Sequence, residues 1–246
     1  MNLYGLIGYP LGHSFSKKYF TDKFANEGIK DSFFELFPIE DICYFPQLIK
    51  SESALKGLAV TIPYKQDVMP YLQSVNEHAM EVGAVNCIRV LPTEMIGYNT
   101  DIIGFEKSFA PLLLPHHKKA LVLGTGGASK AVQYVLNKLL IPFLIVSRTP
   151  SGTEISYSEI NNSLLKEYTI LVNCSPVGME PNEDFMPSLP YHFITSKHFL
   201  YDLVYQPAKT KFLNLGELNG ALIKNGYEML IIQAEENWKI WTGTTV

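Results

Sequence analysis

The sequence predicts an α/β protein with two domains, the first built on a mainly parallel sheet. Short apolar runs alternate with helical patterns through the first hundred residues, and a second succession of strands and helices begins after Asp101. Strands that alternate with helices form parallel sheets with right-handed crossovers. A chain of 246 residues can form one large domain or two small ones, and its hydrophobic fraction of 47% supports a buried core.

The first half of the chain contains strand signals separated by turn residues. Leu3–Gly8 is predicted to be a strand that ends in a Gly-Tyr-Pro turn. Ser14 or Ser16 can cap the following helix, which continues to about Glu27. Further predicted elements are a strand at Phe33–Phe37, a helix at Ile39–Ile49, a short strand at Leu58–Thr61 before Pro63, and strands at Ala84–Val90 and Glu94–Tyr98 joined by Leu-Pro-Thr.

The second half predicts a βαβ succession. A helix at Phe105–Leu114 should end at Pro115. The polar segment 149–166 has little helical periodicity, so this crossover is expected to be short. The other predicted elements are a strand at Lys119–Gly124, a helix at Gly126–Leu139, strands at Phe143–Ser147, Thr169–Asn173 and Phe199–Leu203, and an amphipathic helix at Tyr227–Trp241.

Composition excludes several classes of protein. The formal net charge of −4 gives no basic face for nucleic acid. Cys43, Cys87 and Cys174 are scattered, so we expect reduced thiols in the core and neither a disulfide framework nor a metal site. The N-terminus lacks the pattern of a signal peptide, and the longest aliphatic stretch, Leu139–Val146, is interrupted by Pro142. We therefore expect a cytoplasmic protein that binds neither nucleic acid nor membrane.

A glycine-rich turn follows the strand that begins near Lys119. Gly124, Gly126, Gly127 and Ala128 stand between this strand and the next helix. Glycine lets the backbone turn sharply and approach a diphosphate, and the helix N-terminus offers unpaired N–H groups to it. A tight turn without a ligand is the alternative, but the flanking strand and helix favour a dinucleotide cofactor.

The next strand ends in Ser147, Arg148 and Thr149, a position that selects between nicotinamide cofactors. Proteins that prefer NAD often carry Asp or Glu here, on the ribose hydroxyls. A guanidinium can instead pair with a 2′-phosphate and stack on adenine. Arg148 therefore favours NADP, the alternative being a solvated surface arginine.

Four polar clusters lie at predicted element ends in the first half, where sites on α/β sheets usually form. They are residues 12–16, 60–65, 83–87 and 97–101. Ser14 and Ser16 could together donate to one carboxylate, or one of them could be an ordinary helix cap. Lys65, beyond Thr61, and Asp101 are the informative pair: an ammonium can give the proton that ketone reduction requires, and a neighbouring carboxylate can hold and tune it. The alternative is a surface lysine and a helix-capping aspartate.

Nine segments resemble blocks of the shikimate dehydrogenase family, in the same order along most of the chain. They are GYPLGHSFS, VTIPYK, GAVNC, GYNTDIIGF, LGTGGASKA, SRT, NCSPVGM, YDLVYQPAKT and EMLIIQAEENWKIWTG. The resemblance implies a substrate-binding domain at 1–100, completed by a C-terminal helix at 226–246. It also implies a Rossmann-like NADP-binding domain at 101–225, with the active site in the cleft between the two.

The resemblance also implies roles for individual residues. Lys65 and Asp101 would be the catalytic pair, with Lys65 the acid–base. The implied substrate contacts are Ser14 and Ser16 to the carboxylate, Thr61, Asn86 and Gln233 to the ring hydroxyls, and Tyr205 at the substrate edge. The implied cofactor contacts are Gly124, Gly126, Gly127 and Ala128 to the diphosphate, Ser147, Arg148 and Thr149 to the adenosine phosphate, and Val204, Gly226 and Met229 near the nicotinamide. No metal is implied.

The chain departs from the family pattern at several positions. Ala59 stands where Asn is usual, and Cys87 stands where Thr is common. Ser129 occupies the third glycine position of the usual fingerprint. The segment 150–159 contains no Lys or Arg, so NADP preference would depend on Arg148 alone.

The resemblance implies reversible NADPH-dependent reduction of 3-dehydroshikimate to shikimate, by a monomer or a homodimer. Two alternatives are an NAD-dependent quinate/shikimate dehydrogenase and a non-catalytic dinucleotide-sensing module of the same fold. Arg148 speaks against the first, and retention of both Lys65 and Asp101 speaks against the second. A folate- or amino-acid-type dehydrogenase would leave the Ser14 and Ser16 loop unexplained.

Overall fold

The computed structural model describes residues 1–12 and 14–244. Residue 13 of the GYPLGHSFS segment, and residues 245 and 246 at the end of the implied 226–246 segment, lie outside the described residues. The chain divides into two compact units. One comprises residues 1–100 and the segment that starts at Gln233, and the other comprises Asp101–Ile232.

The first unit contains a six-stranded sheet in the order β2-β1-β3-β5-β6-β4. β1 pairs in parallel with β2 and β3, and β4 pairs in parallel with β6. β5 runs antiparallel to both β3 and β6. The connection between β5 and β6, Leu91–Glu94, is too short for a crossover, so these two strands form a hairpin. The strands are β1 Asn2–Gly8, β2 Ser32–Pro38, β3 Leu55–Val60, β4 Ser74–Val75, β5 Cys87–Val90 and β6 Met95–Tyr98.

Strand β1 is buried on both faces of this sheet. Leu3 and Ile7 belong to one core cluster, whereas Tyr4 and Leu6 belong to another. Successive side chains of a strand point to opposite faces, so a continuous apolar run indicates a central strand. The helices of this unit are α1 Phe15–Asn26, α2 Phe45–Ser51, α3 Glu77–Val82 and the part of α8, Tyr227–Thr242, from Gln233 onward.

Three sequence predictions for this unit need correction. The helix expected at Ile39–Ile49 is a 3-10 turn, Ile42–Tyr44, followed by α2, because the Asp41 side chain accepts a hydrogen bond from the Cys43 amide and starts the turn there. The strand expected at Ala84–Val90 begins only at Cys87, and the one expected at Leu58–Thr61 runs from Leu55 to Val60. The short elements α3 and β4 were not predicted.

The second unit contains a parallel six-stranded sheet in the order β12-β11-β10-β7-β8-β9. This architecture confirms the predicted α/β class and the βαβ succession. Its strands are β7 Ala120–Leu123, β8 Phe143–Ser147, β9 Ile155–Ser156, β10 Ile170–Asn173, β11 Phe199–Asp202 and β12 Leu222–Asn225. Its helices are α4 Asp101–Phe109, α5 Gly127–Lys138, α6 Asn162–Glu167, α7 Lys211–Leu218 and the first turns of α8.

The helix predicted at Phe105–Leu114 is displaced towards the N-terminus. It begins at Asp101, whose carboxylate lies in the first turn, where the helix dipole favours negative charge. It ends at Phe109 and is followed by a 3-10 turn, Ala110–Leu112. The polar crossover after β8 is short, as predicted: it carries only β9, a single 3-10 turn and the six-residue α6.

The three cysteines are free thiols in different environments. Cys87 is buried and Cys174 is partly buried, but Cys43 is exposed, which corrects the expectation that all three lie in the core. Among the described residues, no helix has the length and apolar character needed to cross a membrane.

Candidate active site

Three of the predicted polar segments meet at one edge of the first sheet. Thr61 follows the end of β3, Asn86 precedes the start of β5, and Asn99 follows the end of β6. Because β5 runs antiparallel to its two neighbours, these three strand termini are adjacent. The backbone confirms the adjacency: the Val60 amide donates to the Asn86 carbonyl at 2.8 Å, and the Asn86 amide donates to the Tyr98 carbonyl at 3.0 Å.

Lys65 lies in a turn that is fixed at several points within the first unit. The Thr61 amide donates to the carbonyl of Ile7 in β1 at 2.9 Å, and the Tyr64 amide closes the turn onto Thr61 at 3.0 Å. Tyr64 is buried in the core and donates its hydroxyl to the Ile39 carbonyl at 2.6 Å. The Lys65 carbonyl accepts from the Val85 amide at 2.7 Å, so the lysine backbone is held next to the Asn86 segment.

Ser14 and Ser16 lie at the start of α1. Ser14 is the N-cap and accepts a hydrogen bond from the Lys17 amide at 3.4 Å, and Ser16 is buried in the first turn. The helix-cap alternative is therefore correct for Ser14, and it does not exclude a substrate contact. Helix α1 is tied to α8 by Lys23, whose Nζ lies 3.0 Å from both carboxylate oxygens of Glu235.

Four buried polar side chains of the first unit form a connected group, which we call the amide cluster: Asn86, Thr100, Gln233 and Asn237. The Asn86 Oδ1 accepts from the Thr100 amide at 2.7 Å, and the Thr100 hydroxyl lies 2.6 Å from the Asn237 Oδ1. Gln233 and Asn237 are four residues apart on α8, which places them on the same face of the helix. That spacing was the signal available in the sequence, but neither Thr100 nor Asn237 was predicted.

The two departures from the family pattern in this unit are a single local change. Ala59 in β3 and Cys87 in β5 are direct cross-strand partners, and both are buried in the same apolar cluster. Residues paired in this way in antiparallel strands point to the same face of the sheet. Both positions therefore place a small, buried side chain on the same face of the sheet.

Asp101 belongs to the second unit, where it starts α4 and is buried. It directly follows Thr100, whose backbone amide and side chain are both bound within the amide cluster. The backbone at the start of α4 is therefore anchored one residue before the carboxylate.

Most of the predicted cofactor residues lie at or just after carboxyl ends of strands in the second sheet. The glycine-rich turn follows β7. Ser147 is the last residue of β8, and Arg148 and Thr149 come after it. Val204 follows β11, and Gly226 follows β12. Because this sheet is parallel, these positions share one edge. Chain order reverses between β7 and β10, and ligands of open α/β sheets bind at such a switch point.

The glycine-rich turn has the backbone features that a diphosphate requires. Gly124 has a φ of +116°, which disfavours any residue with a side chain. A Cβ added to Gly126 would meet no described atom within 4 Å, so the space over the N-terminus of α5 is open. Gly126 is the N-cap and has no side chain, so it makes no side-chain capping hydrogen bond to the first amides of α5. These residues fit a dinucleotide.

Ser129, in the third position of the fingerprint, supports the turn. Its hydroxyl donates to the Gly124 carbonyl at 2.7 Å and accepts from the Gln133 side chain at 3.0 Å. Ser129 is fully buried, so this departure from glycine contributes a hydrogen bond inside the turn.

The segment after β8 places its residues at the surface. Ser147 is buried and its hydroxyl accepts from the Thr149 amide at 3.3 Å, whereas Arg148 and Thr149 are exposed. An exposed guanidinium at this strand end is consistent with either alternative for Arg148, a 2′-phosphate partner or a solvated arginine.

A second buried network, not predicted from the sequence, joins the ends of β10 and β11. Asp202 is fully buried, and its carboxylate accepts from the Asn173 side chain at 2.9 Å, the Val204 amide at 3.0 Å and the Thr210 hydroxyl at 2.6 Å. Thr210 in turn caps α7. The network therefore fixes the segment that carries Val204 and Tyr205.

Burial raises the pKa of Asp202 to about 6, although its three hydrogen bonds act in the opposite direction. This pKa lies above the ordinary value of 3.8 for an aspartate, so the folded state holds the proton more tightly than the unfolded state. The protonated carboxyl group therefore contributes its full stability below pH 3.8, and this contribution is lost as pH rises through about 6. Tyr191 and Cys174 also interact electrostatically with the Asp202 carboxylate. Burial raises the pKa of both groups, so neither titrates between pH 3.8 and 6.

We therefore expect Asp202→Asn to remove part of the pH dependence of stability. Between pH 4 and pH 7 the unfolding free energy of the parent should fall relative to that of the variant by on the order of 3 kcal/mol, the equivalent of the pKa shift. Urea denaturation at several pH values measures this difference. Parallel pH profiles for the two proteins would contradict the assignment.

The remaining predicted cofactor residues surround the end of β12. A Cβ added to Gly226 would lie 2.2 Å from the Leu203 carbonyl oxygen, so only glycine permits this close backbone approach. The Gly226 amide donates to the Val204 carbonyl at 3.2 Å. Met229 is buried in the first turn of α8, and Tyr205 is half-buried, which raises the pKa of its hydroxyl.

No group of three or more His, Cys, Asp or Glu side chains suited to a metal ion occurs among residues 1–12 and 14–244.

Comparison with known proteins identifies the family. A family model described as the shikimate dehydrogenase substrate binding domain matches residues 6–88. The shikimate dehydrogenase (NADP(+)) of Staphylococcus haemolyticus strain JCSC1435 is 36% identical over 251 residues, which cover 98% of this chain and 92% of the relative.

Solved structures agree with this match. The chorismate mutase/shikimate 5-dehydrogenase fusion protein from Clostridium acetobutylicum has a TM-score of 0.87 at 32% identity, covering 100% of this chain and 92% of that one. The shikimate 5-dehydrogenase from Thermus thermophilus, crystallised in complex with NADP(H) and shikimate, has a TM-score of 0.87 at 27% identity, covering 99% and 94%. With its predicted motifs at the ends of the strands, this chain belongs to the shikimate dehydrogenase family of oxidoreductases.

Proposed function

We propose that this chain is an NADP-dependent shikimate dehydrogenase that interconverts 3-dehydroshikimate and shikimate. The observation that carries the proposal is the 36% identity to an NADP-dependent shikimate dehydrogenase across 98% of the chain. The family model for the substrate binding domain, which matches residues 6–88, supports substrate binding by residues 1–100 with the 226–246 segment. Residues 101–225 bind the dinucleotide.

The substrate is held by groups at the edge of the first sheet. Ser14 and Ser16 donate hydroxyl hydrogens to its carboxylate. Thr61, Asn86 and Gln233 hydrogen-bond its ring hydroxyls, and Tyr205 lies at its edge. Support comes from the adjacency of Thr61 and Asn86 across β3 and β5, and from the bond between the Asn86 and Gln233 side chains at 3.4 Å.

Lys65 and Asp101 form the catalytic pair. Reduction of the ketone needs a proton on the oxygen, and the Lys65 ammonium supplies it from Nζ, which becomes a neutral amine. In the oxidising direction the neutral amine takes the hydroxyl proton. Asp101 holds and tunes the ammonium. Two anchors support these roles: the Lys65 backbone bonds to Val85, and Thr100 is bound immediately before Asp101.

The cofactor, when bound, would supply the hydride as NADPH for ketone reduction and would accept it as NADP in the reverse reaction. Gly124, Gly126, Gly127 and Ala128 receive its diphosphate at the N-terminus of α5. Ser147, Arg148 and Thr149 receive the adenosine phosphate, and Val204, Gly226 and Met229 line the nicotinamide position. The open space over Gly126 and its uncapped helix are the structural features that fit this assignment.

Arg148→Ala is expected to lower kcat/KM with NADP about 10–100-fold, the equivalent of one charge-assisted hydrogen bond to the 2′-phosphate. NAD lacks that phosphate, so kcat/KM with NAD should change by less than about threefold and serves as the internal control. Steady-state kinetics with both cofactors measures the ratio. Equal losses with NADP and NAD would show that Arg148 does not recognise the phosphate.

Steady-state assays of the purified chain with shikimate and quinate, each with NADP and NAD, test the proposed function. Shikimate with NADP should give the highest kcat/KM. A clear preference for NAD, or for quinate, would favour the quinate/shikimate dehydrogenase alternative. Absence of turnover in all four combinations would favour the sensing module.

A further inference from the structure

The hydrogen bonds within the amide cluster fix which end of each side-chain amide, oxygen or nitrogen, points in which direction. A backbone N–H can only donate, so the 2.7 Å bond from the Thr100 amide identifies its partner on Asn86 as the carbonyl oxygen, Oδ1. The other end of the same amide, Nδ2, must then be the donor to the Thr100 hydroxyl, at 3.0 Å. The orientation of Asn86 is thereby fixed by the backbone.

The Thr100 hydroxyl in turn fixes the orientation of the Asn237 amide. Having accepted from Asn86, it has one hydrogen to give, and the shorter of its two contacts is the 2.6 Å contact to the Asn237 Oδ1, against 3.2 Å to the Asn86 Oδ1. Asn237 therefore turns its Nδ2 towards Gln233, whose Oε1 lies 3.3 Å away. The same Oε1 also accepts from the Asn86 Nδ2 at 3.4 Å.

With two donors on Oε1, the amide of Gln233 has its oxygen inside the cluster and its Nε2 on the opposite side. A flipped Gln233 would bring its own NH₂ group against the Nδ2 groups of Asn86 and Asn237, so donors would face donors. All four side chains are at least nine-tenths buried, so water competes weakly for these groups.

We propose that Asn237 is a positioning residue that fixes the Gln233 amide so that its Nε2, a hydrogen-bond donor, is presented to a ring hydroxyl of the substrate. This inference rests on the proposed function, because it assigns the polarity of a contact that Gln233 makes there. The proposal predicts that the substrate hydroxyl oxygen accepts a hydrogen bond from Nε2. Substrates whose ring substituent at this position can only donate should therefore bind less tightly.

The N237D variant tests the proposal because it keeps the shape of the side chain and removes its donor. An ionised carboxylate at this position can only accept, so it should draw the Gln233 NH₂ group into the cluster and turn Oε1 towards the substrate. Under alkaline conditions, where this carboxyl group is ionised, the KM for shikimate should rise about 10–100-fold, and the KM for NADP should stay within about threefold. N137D, the same substitution at an exposed position of α5, is the matched control.

A double-mutant cycle separates positioning from a general structural role. In the Q233A background no amide remains to be oriented, so N237D should raise the KM for shikimate by less than about threefold further. Equal effects of N237D in both backgrounds, or equal losses for shikimate and NADP, would overturn the proposal.

Side-chain amide NMR provides a readout that does not depend on activity. The Gln233 NH₂ resonances, assigned by their disappearance in Q233A, should shift in N237D because the group gains a carboxylate acceptor. Unchanged Gln233 resonances in a folded N237D protein would overturn the proposed orientation. If the parent enzyme were inactive but the NMR shift were as expected, the proposed function and the contact between Gln233 and the substrate would be contradicted. The donor and acceptor assignments within the amide cluster would still stand.

Discussion

Lys65→Ala is expected to lower kcat for shikimate oxidation about 10²–10⁴-fold, the usual contribution of general acid–base catalysis. The methyl group of alanine cannot take the hydroxyl proton, whereas the backbone contacts that hold this turn, between Lys65 and Val85 and between Thr61 and Ile7, do not involve the lysine side chain. The variant should therefore fold and bind NADP as the parent does. Stopped-flow and steady-state measurements of nicotinamide absorbance check the rate.

Lys56→Ala is the matched control, because Lys56 is an exposed lysine of β3 in the same unit. Its kcat should equal that of the parent within about twofold. If Lys65→Ala turned over at the parental rate, the assignment of Lys65 as the acid–base would be wrong. If both lysine variants lost activity equally, the loss would reflect net charge and not a proton transfer.

Trp241→Ala is expected to lower the free energy of unfolding by about 3–5 kcal/mol, the typical cost of truncating a buried aromatic side chain. Trp241 is 5% exposed and its ring stacks on Tyr4, with centroids 5.3 Å apart, and contacts Phe20 at 5.2 Å. A Cβ added to Gly57 would lie 2.2 Å from the Trp241 ring, so the indole covers the sheet at a place where only glycine leaves room.

The same substitution should affect the substrate site, because Trp241 anchors the helix that carries Gln233 and Asn237. Chemical denaturation measures the loss of stability, and Tyr44→Ala, an exposed aromatic truncation in the same unit, should cost less than about 0.5 kcal/mol. A loss below about 1 kcal/mol for Trp241→Ala would contradict the packing described for the end of α8.

Local signals account for the parts of the fold that the sequence predicted correctly. The run Phe143–Ser147 and the turn from β7 through Gly124 into α5 depend on apolar runs and glycine positions within a few residues. The alternation of strands with helices was enough to predict a parallel sheet in the second unit. The terminal helix followed from its amphipathic pattern.

The features that the sequence did not predict depend on contacts distant in sequence or on turns with weak signals. The antiparallel placement of β5 follows from its pairing with both β3 and β6, and α3 is held by a left-handed Gly83 at its C-terminus rather than by a long periodic pattern. The 3-10 turn Ile42–Tyr44 before α2 starts at a single hydrogen bond, from the Cys43 amide to the Asp41 side chain.

The candidate site shows the same division. Thr61, Asn86, Gly124 and Arg148 could be predicted because they follow or precede strands, and sites gather at strand ends. Thr100, Asn237 and Asp202 could not be predicted, because what distinguishes them is their buried hydrogen bonds. Thr100 bonds to Asn86, 14 positions away, and to Asn237, 137 positions away. Asp202 bonds to the Thr210 hydroxyl.

The most direct test of the account follows a hydride from the substrate. Shikimate carrying deuterium on the ring carbon whose hydroxyl is oxidised should be incubated with NADP and the purified chain, and the reduced cofactor analysed by mass spectrometry. We predict that the nicotinamide ring gains one deuterium and that Lys65→Ala forms the same product more slowly. Reduced cofactor without deuterium, or no reduced cofactor from the parent chain, would contradict the account.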